Sequence, residues 1–148
     1  MFDKILVAID DSEPSQRALA VAQEMAGRLG SEVEVLHVEL LYLAPSVGVG
    51  VGAALGPADV VPAEAQAMVE AAVARLRAAG ATVTGSVVSG TDPVGQQVAD
   101  AAVAGHADLI VMGSRGRSQL AGLVLGSTAY QVIHLAACPV LVVRNLPV

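Results

Sequence analysis

Cysteine occurs once in the 148 residues and tryptophan not at all, and the aromatic fraction is 2%. One cysteine, Cys138, excludes a disulfide framework within the chain and leaves no Cys-based metal spacing. It lies between Ala137 and Pro139 beside an apolar run, which reads as a buried, inert thiol. With so few rings and a hydrophobic fraction of 54%, the core must be built from Ala, Val, Leu and Ile. Such a core suits β-branched strands covered by Ala-rich helices. Lysine is also nearly absent, Lys4 being the only one, and the formal net charge is -6. Nucleic acid and anionic membrane surfaces need clustered Lys and Arg, so neither is expected as a partner. No apolar run reaches membrane length, and no basic start leads into a signal core; a soluble cytoplasmic protein is the expectation. Acid, too, runs out: after Asp108 there is none, while Arg115, Arg117 and Arg144 follow, so an acidic chain carries one basic segment.

The length fits a single domain over residues 1–148. Lys4 to Ile9, KILVAI, is a short β-branched run typical of a strand buried on both faces. Ser12 and Pro14 then open a helix whose apolar residues Leu19, Ala22, Met25, Ala26 and Leu29 recur at helical spacing, with Gly30 as its stop. Glu32 to Val38, EVEVLHV, is a second strand. Glu39 to Pro62 has neither caps nor period and reads as a mobile or lid-like loop. Then come a helix from Glu64 to Ala79, a weak strand from Ala81 to Val88, and a helix from about Pro93 to Ala104 with Val94, Val98, Ala101 and Ala102 inward. A buried strand ADLIVM (107–112), a helix from about Ser127 to Ala136 and a last strand PVLVVR (139–144) complete the chain. Strands that alternate with helices throughout imply an open parallel five-stranded α/β sheet with right-handed crossovers and helices on both faces.

In such sheets, ligands bind beyond the carboxyl ends of the strands, where strand order reverses. Asp10, the end of strand two near Val38, and the segment from Met112 to Thr128 project there. This segment contains neither GxxxxGK[ST] nor a GxGxxG after the first strand, which excludes a simple P-loop or dinucleotide site. It holds Gly113, Gly116, nine residues, Gly126 and Ser127. Gly113 and Gly116 would let backbone N–H groups approach an anion, and Gly126 would let the chain turn into the helix. Ser127 and Thr128 would present hydroxyls and unpaired N–H groups at that helix's positive end, with Arg115 and Arg117 adding charge. A glycine-rich connector is the plainer alternative. Asp10 is read as a ligand group; the alternative is that it caps the following helix.

KILVAIDDSEPSQRAL, VLHV, ADLIVMGSRGRSQLAGLVLGST and CPVLVVR resemble the universal stress protein family over essentially the whole chain. In that family G-x-x-G, nine residues, G-[ST] marks members that bind ATP, and the pattern is complete here. The resemblance implies a Rossmann-like five-stranded fold, a homodimer joined through Pro139 to Arg144, and a role in stress response through ligand binding. It also implies that the backbone of Ala8, Ile9 and Val38 lines an adenine pocket and that Asp10 contacts the adenine or ribose side. Met112, Gly113, Arg115 and Gly116 would hold ribose and the first phosphates, and Gly126, Ser127 and Thr128 the distal ones, with Mg2+ accompanying a triphosphate. Two positions depart from the pattern: Ala129, where a hydroxyl is frequent, and Tyr130, where an acid is frequent. Both leave AMP or cyclic AMP as alternatives to ATP. His37, His106 and His134 share no motif, so slow or absent turnover is expected. A ligand-independent interaction module and a slow ATPase are the competing readings.

Overall fold

A computed structural model describes residues 1–41, 61–115 and 125–144. The elements run β1 (Lys4–Ala8), α1 (Glu13–Leu29), β2 (Glu32–Leu40), α2 (Ala63–Ala78), β3 (Val83–Gly90), α3 (Val94–Ala104), β4 (Leu109–Gly113), α4 (Ser127–Leu135) and β5 (Val140–Val143). The five strands form one sheet in the order β3-β2-β1-β4-β5, with every pair parallel. Successive strands step outward from β1 to β3, and β4 then returns to the other side of β1. The strand order therefore reverses between β1 and β4.

The β-branched runs in β1 and β4 are nearly inaccessible because helices cover both faces. On one face Ile5, Val7, Val35 and Val111 pack against Leu19 and Ala22 of α1 and Val69 and Leu76 of α2. On the other, Leu6, Leu36, Ile110 and Met112 meet Val98 and Ala102 of α3 and Ala129 and Val132 of α4. Ser12 caps α1, its hydroxyl accepting from Ser15 N–H at 3.3 Å, and Gly30 ends it in the left-handed conformation at φ 73°.

Several boundaries differ from those expected. The second strand runs on to Leu40, so Glu39 and Leu40 belong to the sheet rather than to a loop; residues 42–60 of that expected loop lie outside the described residues. The third strand lies two residues further along than expected, because β2's length offers ladder partners out to Leu40↔Gly90. Gly85 is tolerated inside β3 because a Cβ there would come within 2.6 Å of Val69 and 2.7 Å of Val73 in α2. The fourth strand likewise starts at Leu109 and ends at Gly113, which pairs with Val143. Ala101, expected inward, is only half-buried; Gly95, Gln97 and Ala99 share the buried face of α3 with Val98 and Ala102.

Candidate functional site

A cavity of about 320 Å³ opens at the carboxyl ends of β1, β2 and β4, where the strand order reverses. Its size falls within the range of about 300–1,000 Å³ usual for small-molecule sites. Ala8, Ile9 and Asp10 line it from β1, Leu36 to Leu40 from β2, Met112, Gly113 and Arg115 from β4, and Gly126 to Ala129 from the start of α4. Val94 and Val98 of α3 and Ser15 of α1 complete the wall. Ten of the eleven expected site residues therefore meet in one place: Ala8, Ile9, Asp10, Val38, Met112, Gly113, Arg115, Gly126, Ser127 and Thr128. The eleventh, Gly116, lies outside the described residues, as does Arg117.

Asp10 is held from two sides. Ser15, 3% exposed, takes the Asp10 N–H on its hydroxyl oxygen at 2.8 Å and donates that hydroxyl's proton to the Asp10 carbonyl at 3.0 Å. Asp10 Oδ1 accepts from Ser12 N–H at 2.9 Å and from Ser12 Oγ at 2.5 Å. Ser12, not Asp10, is thus the cap of α1, and Asp10 is a part-buried carboxylate fixed in orientation. Ser12 Oγ also lies 3.3 Å from the Arg115 carbonyl, so the β1–α1 turn touches the end of β4 across the switch point.

Gly113 and Gly126, which both line the cavity, also shape the backbone around it. A Cβ on Gly113 would stand 2.8 Å from the Pro14 carbonyl carbon and 2.9 Å from Ser15 N, so the bare Cα lets β4 pass directly under the start of α1. Gly126 caps α4 in an extended conformation at φ -74°, ψ 159°, a region open to any residue, so no left-handed turn is needed there. Its N–H donates to Ser114 O at 2.7 Å, which ties the α4 start to the end of β4. The first N–H groups of α4 have no intrahelical acceptor, and Gly126 to Ala129 at this positive end of the helix line the cavity. Arg115 has no carboxylate partner among the described residues. The cavity is therefore polarised, with Asp10 and Glu39 on the β1–β2 side and Arg115 and the α4 terminus on the β4 side.

His37, one of three histidines without a shared motif, belongs to the site. It is 3% exposed and lines the cavity, with Nδ1 2.8 Å from Ile9 O and Nε2 3.2 Å from Glu39 Oε2. Ser15, Leu36, Val94 and Val98 are not among the expected site residues, and Glu39 and Leu40 are expected only as the start of the lid-like loop; the parity of β2 and the hydroxyls around Asp10 are the signals that pointed toward them. His106 follows α3 and precedes β4, at the opposite end of the sheet from the cavity. His134 is exposed on α4, its Nδ1 2.8 Å from Tyr130 O and its ring 4.2 Å from that of Tyr130 at a tilt of 35°. Cys138 is half-buried rather than buried; burial, with Asp108 nearby, pushes its thiol pKa up.

The model of the universal stress protein family matches residues 1–144. A universal stress protein of Thermus aquaticus is 35% identical over 148 residues, which cover 97% of this chain and 100% of that relative. Two solved structures are similar throughout. A universal stress protein in complex with cAMP superposes with a TM-score of 0.70 at 27% identity, over 98% of either chain. The universal stress protein from Archaeoglobus fulgidus in complex with dAMP gives a TM-score of 0.67 at 26% identity, over 97% of this chain and 99% of the other.

Proposed function

Because this chain belongs to the universal stress protein family, we propose that it binds an adenine nucleotide in the cavity at the β1–β4 switch point and acts through that binding in stress response, rather than through fast catalysis. The observation that carries the proposal is the convergence of ten expected residues on one polarised cavity. The base would lie between the Ala8–Ile9 backbone and Val38, with Asp10 toward the base or ribose. Met112, Gly113 and Arg115, with Gly116 beyond the described residues, would follow the ribose and first phosphate. The α4 start at Gly126, Ser127 and Thr128 would take the remaining charge, since unpaired N–H groups at a helix's positive end favour anions.

The glycine pattern favours ATP, with Mg2+ entering alongside it. Two observations favour a monophosphate such as AMP or cyclic AMP: the cAMP and dAMP complexes of similar proteins, and Ala129, which is 1% exposed in the cavity wall and offers no hydroxyl. Calorimetry with ATP, with and without Mg2+, and with AMP and cyclic AMP ranks them. The test of the site is Thr128→Asp, whose carboxylate suits a helix N-terminus but repels phosphate. ATP affinity is expected to fall at least roughly tenfold while adenosine affinity holds, a factor on the scale of one charge-assisted contact. Equal ATP affinity in the variant would remove the distal phosphates from α4.

The proposal extends to a cytoplasmic homodimer paired through Pro139 to Arg144. Supporting it, β5 is an edge strand of the described sheet, Leu141 on it is 37% exposed, and Tyr130 and Ile133 of neighbouring α4 are also exposed. Among the described residues no helix is long and apolar enough to cross a membrane.

A further inference from the structure

The ladder between β1 and β2 stops one rung short of where geometry would let it run. Even-numbered residues of β2 turn their backbone groups toward β1: Glu32 N–H donates to Asp3 O and Leu36 O accepts from Ile9 N–H, each at 2.8 Å. Strand backbone groups alternate sides with a period of two, so Val38 turns its N–H the same way. The next rung would join Val38 N–H to the Ile9 carbonyl, and that rung is not formed. The His37 ring takes the carbonyl instead, with Nδ1 at 2.8 Å in a buried contact. A carbonyl only accepts, so Nδ1 carries the proton. The ring is 4% exposed, and Glu39 Oε2 lies 3.2 Å from its Nε2.

We infer that His37 is a positioning residue for the base: by capturing the Ile9 carbonyl it ends the ladder and leaves the Val38 N–H in the cavity wall as a donor for an unprotonated ring nitrogen. The inference rests on the adenine reading above. Adenine N1 accepts a hydrogen bond, whereas hypoxanthine N1 carries a proton, so a backbone donor at this point selects the first over the second. His37 need not touch the ligand; it decides whether the Val38 peptide faces the base or is consumed by Ile9.

The test is amide hydrogen exchange by NMR on the full chain, combined with calorimetry using AMP and IMP. In the unmodified protein the Val38 amide exchanges freely without ligand, becomes protected by AMP, and AMP binds more tightly than IMP. In His37→Leu the vacated carbonyl pairs with Val38, so that amide is protected without ligand, AMP affinity falls roughly tenfold, as expected for one lost buried hydrogen bond, and IMP affinity barely moves. His37→Asn, whose side-chain amide can reach the same carbonyl, restores free exchange and AMP preference. Equal losses for AMP and IMP in His37→Leu, with Val38 exchange unchanged, would reduce His37 to a packing residue. A protected Val38 amide in the ligand-free unmodified protein overturns the inference whether or not the variants fold. Absence of any AMP binding by the unmodified protein overturns the adenine reading itself, before a substitution is made.

Discussion

Two serine hydroxyls decide how Asp10 is presented. Ser15 satisfies both its backbone N–H and its carbonyl, and Ser12 holds one carboxylate oxygen, so the orientation of Asp10 is set before any ligand arrives. Ser15→Ala removes a nearly inaccessible hydroxyl and strands the polar groups it served; unfolding in urea should show a loss of about 1–3 kcal/mol, with AMP affinity falling alongside. Unchanged stability would mean that water replaces the hydroxyl. At Gly113 the expected change comes from crowding instead. A methyl group there meets the Pro14 and Ser15 backbone below 3 Å, so Gly113→Ala should destabilise by about 1–3 kcal/mol, the usual range for overpacking, and shift the α1 start. Cys138, whose thiol pKa is raised by burial, stays protonated to higher pH than a free thiol. Its alkylation by iodoacetamide at pH 8 should lag that of a free cysteine peptide, and equal rates would contradict the shift.

The N-cap of α1 illustrates what the elements add. Ser12 serves the first turn of α1 and also lies against Asp10 and Arg115. Ser12→Ala should therefore cost more than the roughly 1 kcal/mol of an ordinary lost cap, whereas Ser12→Asp, keeping the cap acceptor but adding charge beside Asp10, should retain the helix and weaken binding; far-UV circular dichroism and calorimetry separate the two. Caps, spacing and the alternation of strand with helix made the order of the elements legible in the sequence, because Ser12, Pro14 and Gly30 act locally. The ends of β2 and β3 were not legible. Glu39, Leu40, Ser89 and Gly90 have no strand signature of their own and are ordered by pairing with one another across the ladder. His37 was hidden for the same reason: its partner, Ile9, is 28 positions away and supplies only a backbone carbonyl. The lining residues of β1, β4 and α4 could be read because strand ends and a helix start bring them together whatever the details of packing.

On the scale of the molecule, the sheet order explains both the cavity and the exposed edge. The reversal between β1 and β4 leaves a gap above the sheet that neither α1 nor α4 fills, and the same order places β5 at the rim with Leu141 outward. Light scattering at micromolar concentration should give twice the 14.9 kDa chain mass, and Leu141→Lys should give a monomer that still binds AMP; a monomeric unmodified chain would contradict pairing through β5. The central claim, that the polarised cavity holds an adenine nucleotide, is tested most directly by isothermal calorimetry of the freshly purified, nucleotide-stripped protein with AMP and ATP. The account predicts saturable binding of one nucleotide per chain, with ATP binding weakened by Thr128→Asp and adenosine binding unchanged. No heat and no saturation with either nucleotide, from a protein shown by circular dichroism to be folded, would contradict it.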